Sequence, residues 1–377
     1  MRIAIDATSV PTKPAGAGVY AIELVRAMAQ RDRHDGYALY ASGHWLDDEL
    51  AGRRNWRIER VGAASRPARL AWEQMRLPCS LRGLGIDVLH STHHTLPLRG
   101  VRCRRVVTIH DVTFFRIPER YPAVRRFYMQ TLTRLAARSA DAIIVPSNAV
   151  RDDVVRVLRV PAVRVTTVYE AAAARFAPVA DAAARAIAHA HGIEGPYVLS
   201  VGSLEPGKNR ARLIRAMRQL RDAGFPHHLV IAGQRAWKYE DEFALVDRLG
   251  MRDRVAYLGY VPDDQLSGLY VGATAFAFPS LYEGFGLGVI EAMACGVPVL
   301  TSNISATAEV AGDAALLVDP LSIDAIRDGL WRLLEDEGLR ADLTVRGRAR
   351  ARQFSWSRAA DETHAVYERV VHSGDGP

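Results

Sequence analysis

The stretch Pro279-Ser280-Leu281-Tyr282-Glu283-Gly284-Phe285-Gly286-Leu287 joins a predicted strand, Ala275–Phe278, to a predicted helix, Gly288–Cys295. The free N–H groups and the positive dipole end at the start of that helix form a site for a diphosphate. Glu291, about one turn into the helix, is placed to hold the two hydroxyls of a ribose. Glu283 precedes the helix and is placed to face a sugar. Isolated glutamates are normally solvated, but two of them around a Gly-Phe-Gly turn indicate a binding site.

A second loop of this kind follows the predicted strand Tyr197–Val201 and reads Gly202-Ser203-Leu204-Glu205-Pro206-Gly207-Lys208-Asn209. A glycine at a strand end lets the backbone approach a ligand closely, and a lysine at a helix entrance can meet a phosphate. Lys208 is one of only three lysines among 49 basic residues. Retention of a compact ammonium in such a chain favours a function for Lys208. The alternative is a surface loop with a solvated lysine.

Both loops belong to an alternation of short apolar runs and helical patterns that extends along the chain. Such alternation predicts an α/β fold with two parallel sheets, one in each half, covered by helices. An alanine-rich stretch, 171–190, is predicted to be irregular, and the boundary between the two halves is predicted at about 170–195. The predicted strands are Arg2–Asp6, Tyr37–Ala41, Val88–His90, Val106–His110, Ala142–Val145, Tyr197–Val201, Leu229–Ala232, Val255–Leu258, Ala275–Phe278 and Pro298–Thr301.

Composition limits the classes of protein to consider. The chain has 377 residues, 49% of them hydrophobic, which is enough for two cores. It contains no apolar run of about eighteen residues that would span a membrane, and its first residues read as a strand rather than a leader, so we expect a cytoplasmic protein. The three cysteines have no metal-ligand spacing, so Cys79, Cys103 and Cys295 are predicted to be small buried side chains.

The pattern from Glu283 to Glu291 is E-x7-E with E-G-F-G inside it, and it resembles the GT4-type (glycogen-synthase-like) retaining glycosyltransferases. Each matching piece alone is weak, but their combination in this order is specific and covers nearly the whole chain. The other matching stretches are Ala15–Tyr20, Thr108–Val112, Val145–Asn148, Leu199–Asn209, Glu309–Ala315 and Phe354–Trp356.

The resemblance implies a GT-B fold, in which two Rossmann-like parallel-sheet domains face each other across a cleft. Residues 1–180 would form the N-terminal acceptor domain and 190–355 the C-terminal domain for the nucleotide-sugar donor. A C-terminal helix, 356–377, would return to the N-terminal domain.

The resemblance also implies roles for individual residues. The catalytic pair would be Glu283, near the 3- and 4-hydroxyls of the sugar, and His110, near its 6-position and the acceptor. Lys208 would neutralise the diphosphate and Glu291 would bind the ribose. The remaining donor-binding residues would be Gly202, Ser203, Phe285, Gly286, Leu287, Gly16 and Gly18. The acceptor side would include Asp111, Ser147 and His94.

The implied reaction keeps the anomeric configuration of the donor sugar. The leaving phosphate would help to deprotonate the acceptor, and stabilisation of that phosphate would be the main catalytic contribution. The resemblance implies no metal and no cofactor beyond the nucleotide-sugar co-substrate. The donor could be GDP-mannose or a related GDP- or UDP-sugar. Overall similarity to O-antigen-type mannosyltransferases favours mannose from GDP-mannose, with a glycan or lipid-linked acceptor.

Two departures from the family pattern bear on the site. The family often carries an arginine after the strand glycine or before the lysine, where this chain has Ser203 and Gly207. Lys208 is then the only cation of the loop, or Arg210 or Arg212 compensates. The usual Asn-Gly at the domain link is replaced by Tyr169-Glu170 and alanines.

A basic stretch and a pair of histidines leave alternatives open. Residues 99–138 hold ten arginines against Asp111 and Glu119, and aromatic residues accompany them on the predicted helix Pro122–Ser139. That helix face is either simply solvated or in peripheral contact with an anionic membrane surface or a lipid-linked acceptor. Nucleic acid is not expected, since no recognised binding motif is present. His93 and His94 either line the acceptor cleft or form a turn.

Other functions remain as rivals to the transferase. A nucleotide-sugar epimerase of the same fold and a non-catalytic nucleotide-sugar-binding module both fit the domain pattern. A phosphorylase is disfavoured because Lys208 is poorly placed to carry pyridoxal. A dehydrogenase is disfavoured because no G-x-G-x-x-G follows a strand with an acidic residue about twenty positions on.

Overall fold

The computed structural model describes residues 1–31, 34–62 and 65–373. The chain forms two compact units. Unit 1 comprises 1–170 and 355–377, and unit 2 comprises 171–354. The chain therefore passes from the first unit to the second directly after Glu170.

Unit 1 contains a seven-stranded parallel sheet in the order β3-β2-β1-β4-β5-β6-β7. Strands buried on both faces must be apolar throughout, which is the pattern that Ile3–Ile5 and Ile143–Val145 show. The strands are β1 (Arg2–Ala7), β2 (Gly36–Ala41), β3 (Trp56–Arg60), β4 (Val88–Ser91), β5 (Arg104–Thr108), β6 (Ala142–Val145) and β7 (Val165–Thr167).

Unit 2 contains a six-stranded parallel sheet in the order β10-β9-β8-β11-β12-β13. Its apolar core includes Leu213, Leu229 and Leu330. The strands are β8 (Tyr197–Val201), β9 (His228–Ala232), β10 (Val255–Gly259), β11 (Ala275–Phe278), β12 (Val299–Ser302) and β13 (Leu316–Val318).

Helices connect the strands of both sheets. Those of unit 1 are α1 (Ala17–Ala29), α2 (Asp47–Leu50), α3 (Arg66–Met75), α4 (Leu77–Arg82), α5 (Thr113–Arg116), α6 (Ala123–Ser139), α7 (Asn148–Leu158) and α16 (Trp356–His372). Those of unit 2 are α8 (Asp181–Ala190), α9 (Arg210–Asp222), α10 (Glu240–Arg248), α11 (Asp263–Gly272), α12 (Leu287–Cys295), α13 (Ser305–Ala311), α14 (Ile323–Glu335) and α15 (Glu337–Ala351). Among the described residues, no helix combines the length and apolar character needed to cross a bilayer.

Strand order reverses at one place in each sheet. β1 lies between β2 and β4, and β8 lies between β9 and β11. Loops diverge at such a reversal and leave a crevice at the carboxyl ends of the strands. The loops after β8 and β11 therefore flank a crevice in unit 2, and those after β1 and β4 flank one in unit 1.

The last helix, α16, belongs to unit 1 because its apolar face is buried there. The Tyr367 hydroxyl contacts His90 Nδ1 at 2.6 Å, and His90 Nε2 contacts Thr108 Oγ1 at 2.8 Å. Burial lowers the pKa of His90 to about 3, so the imidazole is neutral and connects the helix to two neighbouring strands.

Three expectations about local structure were wrong. The alanine-rich stretch 171–190 is not irregular throughout, since it contains α8, whose Ala184 and Ala188 pack into unit 2. β5 ends at Thr108, so His110 lies two residues beyond the strand. Cys79 is exposed and Cys103 half-buried, because α4 turns Cys79 outward, whereas Cys295 is buried as expected.

The sequence patterns also missed three short strands. The apolar periodicity of these strands is weak. β3 contains charged residues, and β7 and β13 have only three residues each, two of them threonine in β7. All three are edge strands of their sheets. An edge strand is partly exposed, which permits charged and polar side chains.

Candidate active site

The loop after β8 is held by the backbone of its neighbour. Gly202 N–H donates to Ala232 O at 2.9 Å, and Leu204 N–H donates to Gln234 O at 2.8 Å. A Cβ on Gly233 would lie 1.9 Å from Gly202 O, so only glycine permits this approach. Gly233 is a structural requirement of the loop that the sequence patterns did not reveal.

Arg210 supports the same loop from inside the unit. It is buried, donates from one guanidinium nitrogen to Ser203 O at 2.9 Å and from the other to Gly202 O. Burial lowers the pKa of Arg210, while the nearby carboxylates Glu242 and Glu205 oppose that shift. Arg210 therefore orients the loop.

Arg212 is the second arginine considered as a replacement for the missing loop cation, and its side chain is also engaged within the unit. It is half-buried and donates to Asn209 Oδ1 at 2.9 Å. Asn209 in turn donates to Pro279 O and Pro320 O at 2.9 and 2.6 Å. Of the two arginines considered as replacements, Arg210 thus binds backbone carbonyls of the loop and Arg212 binds the Asn209 side chain.

Lys208 and Glu283 come together although 75 residues separate them. Lys208 Nζ donates to Glu283 Oε1 at 2.6 Å and lies 5.1 Å from the centre of the Phe278 ring. Leu281 N–H donates to Gly207 O at 2.9 Å, which joins the loop after β8 to the loop after β11. A cation and a carboxylate are therefore placed side by side at the reversal of strand order.

Ser305 holds the backbone of Glu283. Its hydroxyl accepts a hydrogen bond from Glu283 N–H at 3.0 Å and donates to Glu283 O at 3.2 Å. Ser305 adopts a positive φ of 59°, which is uncommon for a residue other than glycine. The sequence gives no sign of this contact.

The start of α12 follows directly after Glu283. Gly286 is the N-cap residue with φ 98°, and no side chain of the described residues caps the helix there. Phe285 is buried and packs edge-on against Phe354, with ring centres 5.7 Å apart, so its backbone is the part that a ligand can reach. The first N–H groups of an α-helix have no partner within the helix, so the start of α12 offers donors of the kind that an anion site uses.

Glu291 lies on the second turn of α12. It is 8% exposed, and its Oε2 accepts a hydrogen bond from the Tyr270 hydroxyl at 3.0 Å. Burial, followed by the charge of Glu291, raises the pKa of Tyr270 well above its usual value, so the tyrosine remains a donor. Tyr270 therefore orients the Glu291 carboxylate, a contact that sequence reasoning did not identify.

The glycines predicted at the first loop lie at the start of α1 in unit 1. Gly16 is the N-cap residue of that helix, with φ 50°. A Cβ on Gly18 would lie 3.3 Å from Pro11 Cδ and 3.4 Å from Pro14 Cβ, a tight fit that explains glycine there. Both glycines lie beyond the carboxyl end of β1.

His110 lies beyond the end of β5 in the same unit. Its Nε2 donates to Thr92 O at 2.9 Å, and its Nδ1 is 3.5 Å from Glu170 Oε1. Burial by itself lowers the pKa of His110, but Glu170 and the Thr92 carbonyl raise it above 6.5. The ring of Tyr20 packs edge-on against it at 4.8 Å. Glu170 stands where the family pattern has Asn-Gly. Its carboxylate therefore favours the protonated form of His110.

The three residues predicted for the acceptor side differ in their availability. Asp111 is half-buried and accepts from Thr113 N–H at 2.8 Å. Ser147 is buried as the N-cap of α7, where its hydroxyl accepts from Val150 N–H at 3.2 Å. Burial lowers the pKa of His94 to about 3, so this side chain is neutral.

His93 belongs to a buried ionic cluster with Asp6, Glu73 and Arg69. Its Nε2 lies 3.0 Å from Glu73 Oε2 and 3.8 Å from Asp6 Oδ2, a spacing that permits a metal ion. Arg69 already donates to Glu73 Oε2 at 2.8 Å. Burial opposes ionisation of Glu73, yet His93, Arg69 and Thr95 lower its pKa to about 2. The cluster therefore has its own cation, and we assign no metal to it.

Comparisons with known proteins agree with this architecture. The family model described as Glycosyl transferases group 1 matches residues 184–350, and that described as Glycosyltransferase Family 4 matches residues 14–172. The chain is 31% identical to O-antigen chain mannosyltransferase B of Escherichia coli, over 98% of this chain and 100% of that protein. It is 27% identical to O-antigen chain mannosyltransferase RfbU of Salmonella typhimurium, over 61% of this chain and 60% of that protein.

Solved structures show the same fold at lower identity. Sucrose-phosphate synthase from Thermosynechococcus elongatus superposes with a TM-score of 0.80 at 20% identity and covers 99% of both chains. WaaG, a glycosyltransferase involved in lipopolysaccharide biosynthesis, superposes with a TM-score of 0.73 at 18% identity and covers 100% of both chains. The chain therefore has the GT-B fold, belongs to the GT4-type glycosyltransferases and is a hexosyltransferase.

Proposed function

We propose that this enzyme transfers mannose from GDP-mannose to a glycan or lipid-linked acceptor with retention of the anomeric configuration. The observation that carries this proposal is the contact of Lys208 Nζ with Glu283 Oε1 at 2.6 Å, immediately ahead of the start of α12, which no described side chain caps. A diphosphate at that helix start would meet Lys208, and a sugar attached to it would meet Glu283. The O-antigen mannosyltransferases among the relatives support the choice of sugar and of acceptor class.

In the proposed reaction, the bond between the anomeric carbon and the leaving phosphate oxygen breaks. The acceptor hydroxyl attacks from the same face and its proton passes to the departing phosphate. Lys208 and the N–H groups of α12 stabilise the charge that develops on this phosphate, which is the term expected to dominate catalysis. Glu283 orients the sugar, and Glu291 orients the ribose. His110, in unit 1, is the residue we assign to the 6-position of the sugar and to the acceptor.

We propose that the reaction needs no metal ion and no cofactor other than the nucleotide sugar. The Lys208 ammonium and the helix N–H groups are the positive charges assigned to the diphosphate, so a divalent cation has no separate role. Transfer is then expected to proceed at an unchanged rate in a chelator, and an absolute requirement for Mg²⁺ or Mn²⁺ would contradict this part of the proposal. We also propose that the enzyme acts in the cytoplasm and contacts the inner face of the cytoplasmic membrane peripherally.

The first test is calorimetric titration with GDP, UDP, ADP and dTDP without added metal. We expect selective binding of GDP, weakened by Lys208→Ala and by Glu291→Ala. Lys238→Ala is the matched control, since Lys238 is an exposed lysine of the same unit. Selective binding of another diphosphate would change the donor, and binding that ignores both substitutions would remove the donor-site assignment.

The second test is transfer itself. The purified enzyme is incubated with GDP-mannose and a water-soluble mannoside acceptor, and the anomeric proton of the product is followed by NMR. Formation of an α-linked product from the α-linked donor is expected. A β-linked product would contradict retention, and hydrolysis or epimerisation without transfer would favour the alternative reactions.

A further inference from the structure

A groove of about 670 Å³ lies between α3 and α6 in unit 1, and none of the residues that line it is assigned to the donor or the acceptor. Pro67, Leu70 and Met75 line it from α3, and Tyr128 and Met129 line it from α6. The walls are therefore largely apolar. Arg66 and Arg125 also line the groove, so cationic groups accompany the apolar surface.

The apolar surface continues from the groove onto the outer face of α6. Val124 is 85% exposed and Phe127 is 72% exposed, while Met75, which lines the groove from α3, is 66% exposed. Val124, Tyr128 and Leu135 recur at helical spacing and form one stripe along α6. Large side chains with so much exposed area, next to each other, indicate an interaction surface.

The charge of this surface has a single sign. α6 contains no acidic residue, and the only acidic residue of α3, Glu73, is fully buried with Arg69. Arg66, Arg134 and Arg138 are exposed on the same two helices. We call the surface formed by the groove, the stripe on α6 and these arginines the α3–α6 face.

We propose that the α3–α6 face binds the surface of an anionic phospholipid bilayer. The exposed apolar side chains would enter the boundary between head groups and acyl chains, and the arginines would contact lipid phosphates. The groove has room for a segment of one acyl chain. The inference rests on the proposed function for its purpose, since a lipid-linked acceptor is presented at such a surface.

The chemistry of the face distinguishes this occupant from others. A nucleic acid would satisfy the arginines but would leave Val124, Phe127 and Met75 without an apolar partner. A second copy of this chain would bring the cationic faces of two molecules together, which like-charge repulsion opposes. A bilayer with anionic lipid offers both an apolar interior and negative charge within a few ångströms of each other.

The test is co-sedimentation of the full chain with vesicles of phosphatidylcholine alone and of equal parts phosphatidylcholine and phosphatidylglycerol. We expect binding only to the vesicles that contain phosphatidylglycerol, and weaker binding at high salt. Val124→Ser with Phe127→Ser, and separately Arg66→Gln with Arg138→Gln, are each expected to lower the partition coefficient at least about tenfold.

The matched controls carry the same substitutions on exposed residues of unit 2. Leu321→Ser with Val345→Ser replaces two apolar residues that are 63% and 69% exposed, and Arg185→Gln with Arg332→Gln removes two exposed cations. These variants are expected to bind vesicles as the unmodified enzyme does. GDP binding and transfer to a water-soluble acceptor are expected to stay unchanged in all four variants.

Several outcomes would overturn the inference. Equal binding to both kinds of vesicle, no binding to either, or equal losses in the face variants and their controls would each do so. Concentration-dependent dimerisation in ultracentrifugation that Val124→Ser with Phe127→Ser abolishes would assign the face to self-association instead. Because GDP binding is measured separately, failure of the membrane inference is distinguishable from failure of the proposed function.

Discussion

The hydroxyl of Tyr270 orients the carboxylate assigned to the ribose, because it donates to Glu291 Oε2 at 3.0 Å within the core of unit 2. Tyr270→Phe removes this donor and leaves the buried carboxylate less constrained. We expect the affinity for the nucleoside diphosphate to fall about tenfold, the loss typical of a hydrogen bond to a charged group. A dideoxyribose analogue of the same nucleotide lacks the two hydroxyls assigned to Glu291. Its affinity, measured by calorimetry, is expected to change much less.

Tyr197→Phe is the matched control for Tyr270→Phe. Tyr197 is also buried in unit 2, and its hydroxyl donates to Leu269 O at 2.7 Å. We expect Tyr197→Phe to lose about as much stability as Tyr270→Phe does, but without a change in nucleotide affinity. If Tyr270→Phe weakened the ribose and dideoxyribose nucleotides equally, Tyr270 would have only a structural role.

The contact between His110 and Glu170 predicts a dependence of stability on pH. The pKa of His110 in the folded enzyme is raised above the ordinary 6.5, because the effects of Glu170 and the Thr92 carbonyl outweigh burial. A raised folded-state pKa contributes stability that is complete below the unfolded-state pKa and is lost as pH rises through the folded-state value. We therefore expect stability in urea to decline above pH 6.5 through this residue.

Glu170→Gln is expected to remove that part of the decline and to lower the pKa of His110, measured from the imidazole resonances by NMR. Glu194→Gln, at an exposed position of unit 2, serves as the control. An unchanged His110 titration in Glu170→Gln would show that the carboxylate does not set its protonation. The pH profile of transfer is expected to shift in the same direction as the titration.

At the scale of elements, the loop after β8 depends on close approach of the loop after β9. Gly233→Ala would place a Cβ 1.9 Å from Gly202 O, where both groups are backbone and neither can rotate away. We expect a loss of at least about 2 kcal/mol of stability in urea unfolding, since the overlap forces a backbone shift. Nucleotide affinity is expected to fall as well, because the loop carries Lys208.

Gly224→Ala is the control for that substitution. Both glycines have a positive φ, 154° at Gly233 and 94° at Gly224, but a Cβ added to Gly224 would have no neighbour within 4 Å. Gly224→Ala is expected to lose about 1 kcal/mol of stability from backbone strain alone and to keep its nucleotide affinity. Equal effects of the two substitutions would mean that strain alone, and not the loop contact, explains Gly233.

At the scale of the whole molecule, each unit has its own sheet and its own apolar core. We expect two transitions in calorimetric unfolding, one for each unit. GDP at about a hundred times its Kd is expected to stabilise unit 2 by about 2.7 kcal/mol and to raise its transition. Tyr367→Phe, which removes the contact with His90 in unit 1, is expected to lower the other transition. One transition moved by both changes would contradict independent unfolding.

Apolar periodicity and loop position predicted much of the fold and little of the detail around the site. Fully apolar, buried strands such as Ala142–Val145 were predicted at their observed bounds. Edge strands such as β3 were missed because they carry charge on an exposed side. The tendency of alanine to form helix, combined with packing of Ala184 and Ala188, produced α8 in a stretch whose composition suggested irregular structure.

By itself the sequence determined the α/β alternation, the two loops at the strand ends and the E-x7-E pattern from Glu283 to Glu291, because these features depend on residues near each other in the chain. Only the tertiary structure decided which side chains support those loops. Ser305 on Glu283, Tyr270 on Glu291 and Glu170 on His110 join residues separated by 22, 21 and 60 positions. Sheet order brings such residues together after the local elements have formed, and no local periodicity records that order.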